Sequence, residues 1–234
     1  MRLSRKGLVV GVVGVLAGLV LVGVARIEDL KRWFISQWDT PHGLTGWLFG
    51  ALMAKALDEI YRPAAEYAHL TADDELLDVA CGGGAFLNGY ARDVSRVAGL
   101  DRSDIQLKLA HRRLGKRLRE GTAEIVKGDA AALPWDDDSF SVVTCVLGLE
   151  FFADPRAALE EMERVLRPGG RLVVTFGIDE NDEACVKECD WFGLDHLPEA
   201  EVRKMVEDAG FAALEITYPH LEYHARFIQA IKPT

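Results

Sequence analysis

From residue 74 onward, short apolar runs alternate with stretches whose apolar positions recur at helical spacing. The apolar runs predict strands at 75–80, 96–101, 123–127, 141–147, 171–176, 212–217 and 225–231. The intervening patterns predict helices at 86–94, 103–119, 155–166 and 198–209. Arg167-Pro168-Gly169-Gly170 is a strong helix stop. Apolar strands alternating with helices imply an α/β fold, a doubly wound seven-stranded Rossmann-like sheet with mostly parallel strands. The last two strands are joined by a short turn around Pro219, and a short connection requires an antiparallel pair. The sheet is therefore expected to end with an antiparallel strand.

Upstream the pattern is different. Gly7 to Ala25 is 19 residues without a charge or strong polar group. As a helix it would be roughly 28 Å long, enough to span the hydrocarbon layer. The expected organisation is an N-terminal membrane anchor at 1–26, a helical juxtamembrane lead-in at 27–72 and a globular domain at 73–234. Gly7, Gly11, Gly14 and Gly18 share one helical face with two GxxxG pairs. That face suits close approach of a second copy, hence a homodimer; ordinary glycine content in a Val-rich span accounts for it equally well. A cleaved signal peptide has the same basic start, and Gly23-Val24-Ala25 is a passable cleavage site. Arg2, Arg5 and Lys6 precede the run and Arg26, Lys31 and Arg32 follow it, so flanking charge does not set its orientation. The lead-in is rich in aromatics (Trp33, Phe34, Trp38, Trp47 and Phe49), which suit either a headgroup-level belt or a helix packed on the domain.

Charge narrows the partners. A net charge of −10 argues against general nucleic-acid binding, because phosphate contacts need clustered Lys and Arg. The one dense basic stretch, His111 to Arg119, reads as the solvated face of a helix, or else as a patch for anionic lipid. Cys81, Cys145, Cys185 and Cys189 make no disulfide framework and no usual zinc spacing, so they are expected to be reduced thiols with no metal site.

The chemistry concentrates at strand ends. Leu76-Leu77-Asp78-Val79 runs into Ala80-Cys81-Gly82-Gly83-Gly84 and then a helical pattern. Glycines at a strand-to-helix turn let a ligand approach the backbone closely. A carboxylate at Asp78 suits a cationic or amino-bearing ligand rather than a phosphate. Asp101 closes the second strand, where an acid can bind two ribose hydroxyls. Gly128-Asp129-Ala130 follows the third; Asp129 can accept from an exocyclic amine while an adjacent backbone N–H donates to a ring nitrogen. Alone, each acid reads more readily as a solvated loop residue or helix cap. Three in order at successive strand ends are much harder to explain that way. A nicotinamide-dinucleotide enzyme is disfavoured, because Gly82-Gly83-Gly84 lacks GxGxxG spacing.

These residues together resemble the class I S-adenosylmethionine-dependent methyltransferases, in particular the branch with the ubiquinone and menaquinone C-methyltransferases. The resemblance covers about residues 50–232. Asp78 to Gly84 matches the first motif, Asp101 the ribose acid and Gly128-Asp129-Ala130 the adenine contact. Leu133-Pro134-Trp135 with Phe140, Val143 to Pro155, and Leu166 to Gly170 match further stretches. It implies a methyltransferase sheet and S-adenosylmethionine held by Asp78, Ala80, Cys81, Gly82, Gly84, Asp101, Arg102, Asp129, Ala130 and Leu147. Asp78 is then read as support for the turn and for the cationic methionine end. The chain departs from the pattern at Ala80, where the motif has its first glycine, at Ser141, and at Glu150-Phe151, where relatives often carry a His pair.

The implied reaction is in-line displacement at the sulfonium methyl, dominated by proximity. Glu150 is the candidate general base; His196, His220 and His224 are weaker candidates. An anchor beside such a domain suggests a small lipophilic acceptor, and cofactor supply places the domain in the cytoplasm. A membrane-tethered cofactor-binding protein without catalysis is the alternative.

Overall fold

The computed structural model describes residues 57–177, 197–219 and 225–234. The elements are α1 (Asp58–Ala68), β1 (Glu75–Val79), α2 (Ala85–Tyr90), β2 (Arg96–Asp101), α3 (Asp104–Arg113), α4 (Gly115–Arg119) and β3 (Ala123–Lys127). They continue with β4 (Phe140–Val146), a 3-10 turn (Leu149–Phe151), α5 (Pro155–Val165), β5 (Leu166–Gly177), α6 (Glu199–Asp208), β6 (Ala212–Thr217) and β7 (Ala225–Ile231).

One seven-stranded sheet runs in the order β3-β2-β1-β4-β5-β7-β6. The pairs from β3 through β5 are parallel, whereas β7 is antiparallel to both β5 and β6. The sheet ends, as expected, in an antiparallel pair, and of its two strands β6 is the edge while β7 lies inside, between β5 and β6. Burial explains the order. Most of β7 is buried, as an interior strand requires, while β6 carries Ala212, Ala213 and Glu215 exposed and sits at the edge. The predicted helix over 103–119 divides at Leu114 into α3 and α4. The Pro168-Gly169-Gly170 stretch is taken up into β5, where the register jumps from Phe140↔Leu166 to Val142↔Arg171.

Alternating residues on the strands feed two cores. On one side Leu77, Val143, Cys145, Leu172 and Val174 pack with Leu159 and Met162 of α5 and Val202 of α6. On the other, Leu76, Val97, Val142 and Phe227 pack with Ile60, Ala64 and Ala68 of α1 and with Phe86 and Leu87 of α2. The buried face of α1 forms although Pro63 lies inside the helix. α5 starts on a strong signal: Asp154 accepts from Ala157 N–H at 3.0 Å and Pro155 occupies the first turn.

Ser141, a departure from the family pattern, lies at the end of the sheet opposite the glycine turn. Its hydroxyl donates to Asp74 Oδ1 at 2.7 Å and accepts from Glu75 N–H at 3.0 Å. Asp74 also pairs with Arg171 at 2.7 Å and accepts from Thr71. Burial opposes its ionisation, but the Ser141, Thr71 and Arg171 contacts outweigh it and hold the carboxyl below its usual range.

The apolar run Gly7–Ala25, the aromatic lead-in through Phe49, Cys185, Cys189, His196, His220 and His224 lie outside the described residues. Among the described residues no helix is long and apolar enough to cross a membrane, and no cluster of metal-binding side chains occurs. Cys81 and Cys145 are free, buried thiols.

Candidate active site

The glycine turn connects β1 to α2. Gly82 and Gly84 adopt left-handed backbone, with φ of 52° and 68°. Gly84 N–H donates to Cys81 C=O at 2.9 Å, and Cys81 N–H reaches Leu100 C=O on β2 at 3.0 Å. Ala80, where the related motif has glycine, also carries a positive φ, 59°. A Cβ there costs about 1 kcal/mol, which the surrounding packing must offset.

Asp101 ties the turn down. Its Oδ2 accepts from Gly82 N–H and its Oδ1 from Ser103 N–H, both at 2.8 Å. Each oxygen retains a further lone pair. Burial raises the Asp101 carboxyl, opposed by those backbone bonds.

The ends of β1 through β4 surround a cavity of about 370 Å³, within the usual size of a small-molecule site. Ala80, Cys81, Gly82, Asp101, Arg102, Asp129, Ala130 and Leu147 all line it. Residues far apart in sequence thus meet at the carboxyl edge of the sheet, where open α/β sheets bind ligands. Asp129 also serves its own loop, accepting from Ala131 N–H at 3.0 Å. Leu147 leaves β4 with φ of 55°, and its N–H donates to Thr175 Oγ1 at 2.8 Å.

Three expected site residues lie outside the lining. Gly84 caps α2. Asp78 is 2% exposed on β1, and its Oδ1 accepts from Thr144 on β4 at 2.7 Å. Burial pushes its carboxyl up to about 7 despite the Thr144 bond. Glu150 lies in the 3-10 turn after β4 and accepts from Gly177 N–H at the end of β5 through Oε1. Its Oε2 is buried with no hydrogen-bond partner among the described residues. Burial lifts this carboxyl also to about 7.

The structure adds lining residues that the sequence pattern did not single out as site residues. Tyr61 and Leu57 come from α1 and its start, and Gln106 and Arg113 from α3. The basic stretch divides accordingly. His111, Arg112, Lys116 and Arg119 are exposed. Arg113 turns inward to Gly83 C=O at 2.6 Å, and Arg117 donates to the carbonyls of Ala91 and Val94 at 2.7 Å. The available signal was the spacing of Gln106 and Arg113, which puts both on one helix face. Leu57, Tyr61, Leu147, Phe151 and Phe152 make one part of the lining largely apolar, whereas Asp101, Arg102, Lys127 and Asp129 make another polar.

Residues 77–174 match the family model described as a methyltransferase domain. A demethylmenaquinone methyltransferase of Clavibacter sepedonicus is 37% identical over 124 residues, 53% of this chain and 49% of that protein. The ubiquinone/menaquinone biosynthesis C-methyltransferase UbiE of an Enterobacter species is 34% identical over 138 residues, 58% and 54% of the two chains. The chain thus spans about half the length of the curated relatives it matches. Among solved structures, the geranyl diphosphate C-methyltransferase of Streptomyces coelicolor, crystallised with S-adenosyl-L-homocysteine, superposes with a TM-score of 0.61 at 16% identity, covering 72% of this chain and 74% of that one. The [4+2]-cyclase SpnF superposes with a TM-score of 0.63 at 21% identity, covering 77% and 83%. These likenesses show the fold; a cyclase among them means that the fold alone does not specify the reaction.

Proposed function

We propose that this chain, whose residues 77–174 are a methyltransferase domain, transfers the methyl group of S-adenosylmethionine to a small lipophilic acceptor of the quinone-precursor type. The carrying observation is one cavity that combines the glycine turn, the strand-end acids Asp101 and Asp129, and an apolar wall.

The residues present fit that cofactor. Asp101, fixed by two backbone N–H groups, has free lone pairs for ribose hydroxyls. Asp129 and the backbone at Ala130 suit the amine edge of adenine, and Leu147 borders the same space. Asp78, behind the turn, favours positive charge nearby through space. When bound, S-adenosylmethionine supplies an electrophilic methyl on a sulfonium sulfur. Leu57, Tyr61, Phe151 and Phe152 would hold a ring or isoprenoid acceptor for in-line attack, with water excluded. Glu150 stands outside the lining, next to the lining residue Phe151, and we infer that it takes the acceptor's proton through Oε2, which has no hydrogen-bond partner among the described residues. A carboxyl near 7 is matched to base work at neutral pH.

The lipophilic acceptor also accords with the apolar run Gly7–Ala25, read as a single-pass anchor that keeps the domain at a membrane on the cytoplasmic side, its glycine face pairing two copies. The relatives named for demethylmenaquinone and ubiquinone/menaquinone methylation point the same way. The test is incubation of the full chain with methyl-labelled cofactor and a host membrane extract, followed by identification of the labelled product. Label in a quinone precursor supports the proposal, and label only in polar soluble compounds overturns the acceptor class. Cofactor binding without transfer would instead favour a tethered cofactor-binding protein.

A further inference from the structure

Arg113 is half-buried, lines the cavity and donates to Gly83 C=O at 2.6 Å. No carboxylate among the described residues pairs with its guanidinium, and burial alone pulls its proton affinity down. A guanidinium carries five N–H donors, so most of its capacity is unspent beside a cavity. Two turns earlier on the same helix, Gln106 Oε1 is buried without a hydrogen-bond partner among the described residues. The two groups converge over Gly83. A Cβ on Gly83 would overlap Arg113 Nη1 and stand 3.1 Å from Gln106 Oε1. A cation lacking an anion and an acceptor lacking a donor are each costly when desolvated. Placed together, they complement one ligand group that offers both.

We propose that Arg113 and Gln106 form a receptor for an α-amino-acid group, the guanidinium taking the carboxylate and the amide oxygen taking the ammonium. This rests on the cofactor reading above and assigns the amino-acid end of S-adenosylmethionine to α3. Gly83 keeps the receptor open, because any side chain there displaces the guanidinium. Its φ is not positive, so alanine at this position meets no backbone strain.

The test is calorimetric binding of two ligands that share the nucleoside: S-adenosylhomocysteine, which carries the amino-acid end, and 5′-methylthioadenosine, which lacks it. Wild-type protein is expected to bind the first more tightly. Arg113→Met should weaken S-adenosylhomocysteine about 10- to 100-fold, the scale of a charge-assisted hydrogen bond, and leave 5′-methylthioadenosine unchanged. Arg113→Lys should recover part of the loss. Gln106→Leu and Gly83→Ala should show the same selectivity, and unchanged 5′-methylthioadenosine binding reports an intact fold. Unchanged S-adenosylhomocysteine affinity in these variants, or equal loss for both ligands in Gln106→Leu and Gly83→Ala as well as Arg113→Met, overturns the receptor while leaving the nucleoside site standing. Failure of wild-type protein to bind either ligand overturns the cofactor reading and the receptor with it.

Discussion

Asp78→Asn should stabilise the protein at neutral pH and change it least in acid. Asp78 is 2% exposed, and burial lifts its carboxyl from 3.8 to about 7. Below pH 4 it is protonated in both folded and unfolded chains. Between pH 4 and 7 the unfolded chain releases the proton while the folded chain holds it, so stability falls as pH rises. Above 7 the full cost is present, about 4 kcal/mol at ~1.36 kcal/mol per pH unit. Asparagine keeps the Thr144 bond, since its carbonyl oxygen accepts as Oδ1 does at 2.7 Å. Glu150 and Asp101 also carry raised carboxyls. Both proteins share them, so they largely cancel in the comparison. Denaturant unfolding of wild type and variant at pH 5, 6, 7 and 8 reads the effect. The variant's advantage should grow through this range and level off above 7, corresponding to roughly 8–16 °C in Tm for a chain of this size. A stability difference that stays constant from pH 5 to pH 8 would refute the reasoning, because it would mean that Asp78 titrates alike in both states.

At the opposite end of the sheet the sign reverses. Asp74→Ala strips Arg171 and Ser141 of their partner and should cost about 3 kcal/mol at pH 7, measured by thermal melting. Because the Asp74 carboxyl is depressed, wild type should lose that advantage only as pH falls below about 4. Asp101→Ala removes the acceptor for Gly82 and Ser103 N–H together with the ribose contact, so S-adenosylhomocysteine affinity should fall at least about 10-fold; unchanged affinity overturns the ribose assignment. Glu150→Gln keeps an acceptor for Gly177 N–H but cannot take a proton. The rate should fall about 100-fold or more and lose its rise with pH through about 7, whereas a retained pH profile would assign the proton to another group.

Much of the fold was legible in the chain because its signals are local. An apolar run ending in Asp78 and glycine, one ending in Asp101 and one ending before Asp129 each announce a strand and its polar tip within a few residues. Strand order along the sheet lacks such a local signal. That β7 lies inside and β6 at the edge follows from which strand buries both faces, and this depends on β5 and the helices. Ser141 reads in sequence as a departure from a family pattern, and becomes intelligible only beside Asp74 and Arg171, contributed by β4, the turn before β1, and β5.

The site divides the same way. Sequence alone determined which residues stand at strand ends and that a nucleoside ligand without phosphates suits them, because turn geometry and end-of-strand acids depend on near neighbours. The tertiary structure decided that Asp78 is buried behind the cavity while Asp101 faces it, and that Glu150 reaches back to Gly177. It also turned Arg113 out of an exposed basic run onto Gly83, 30 residues away. Those outcomes are contacts between elements distant along the chain, and packing that excludes water selects them.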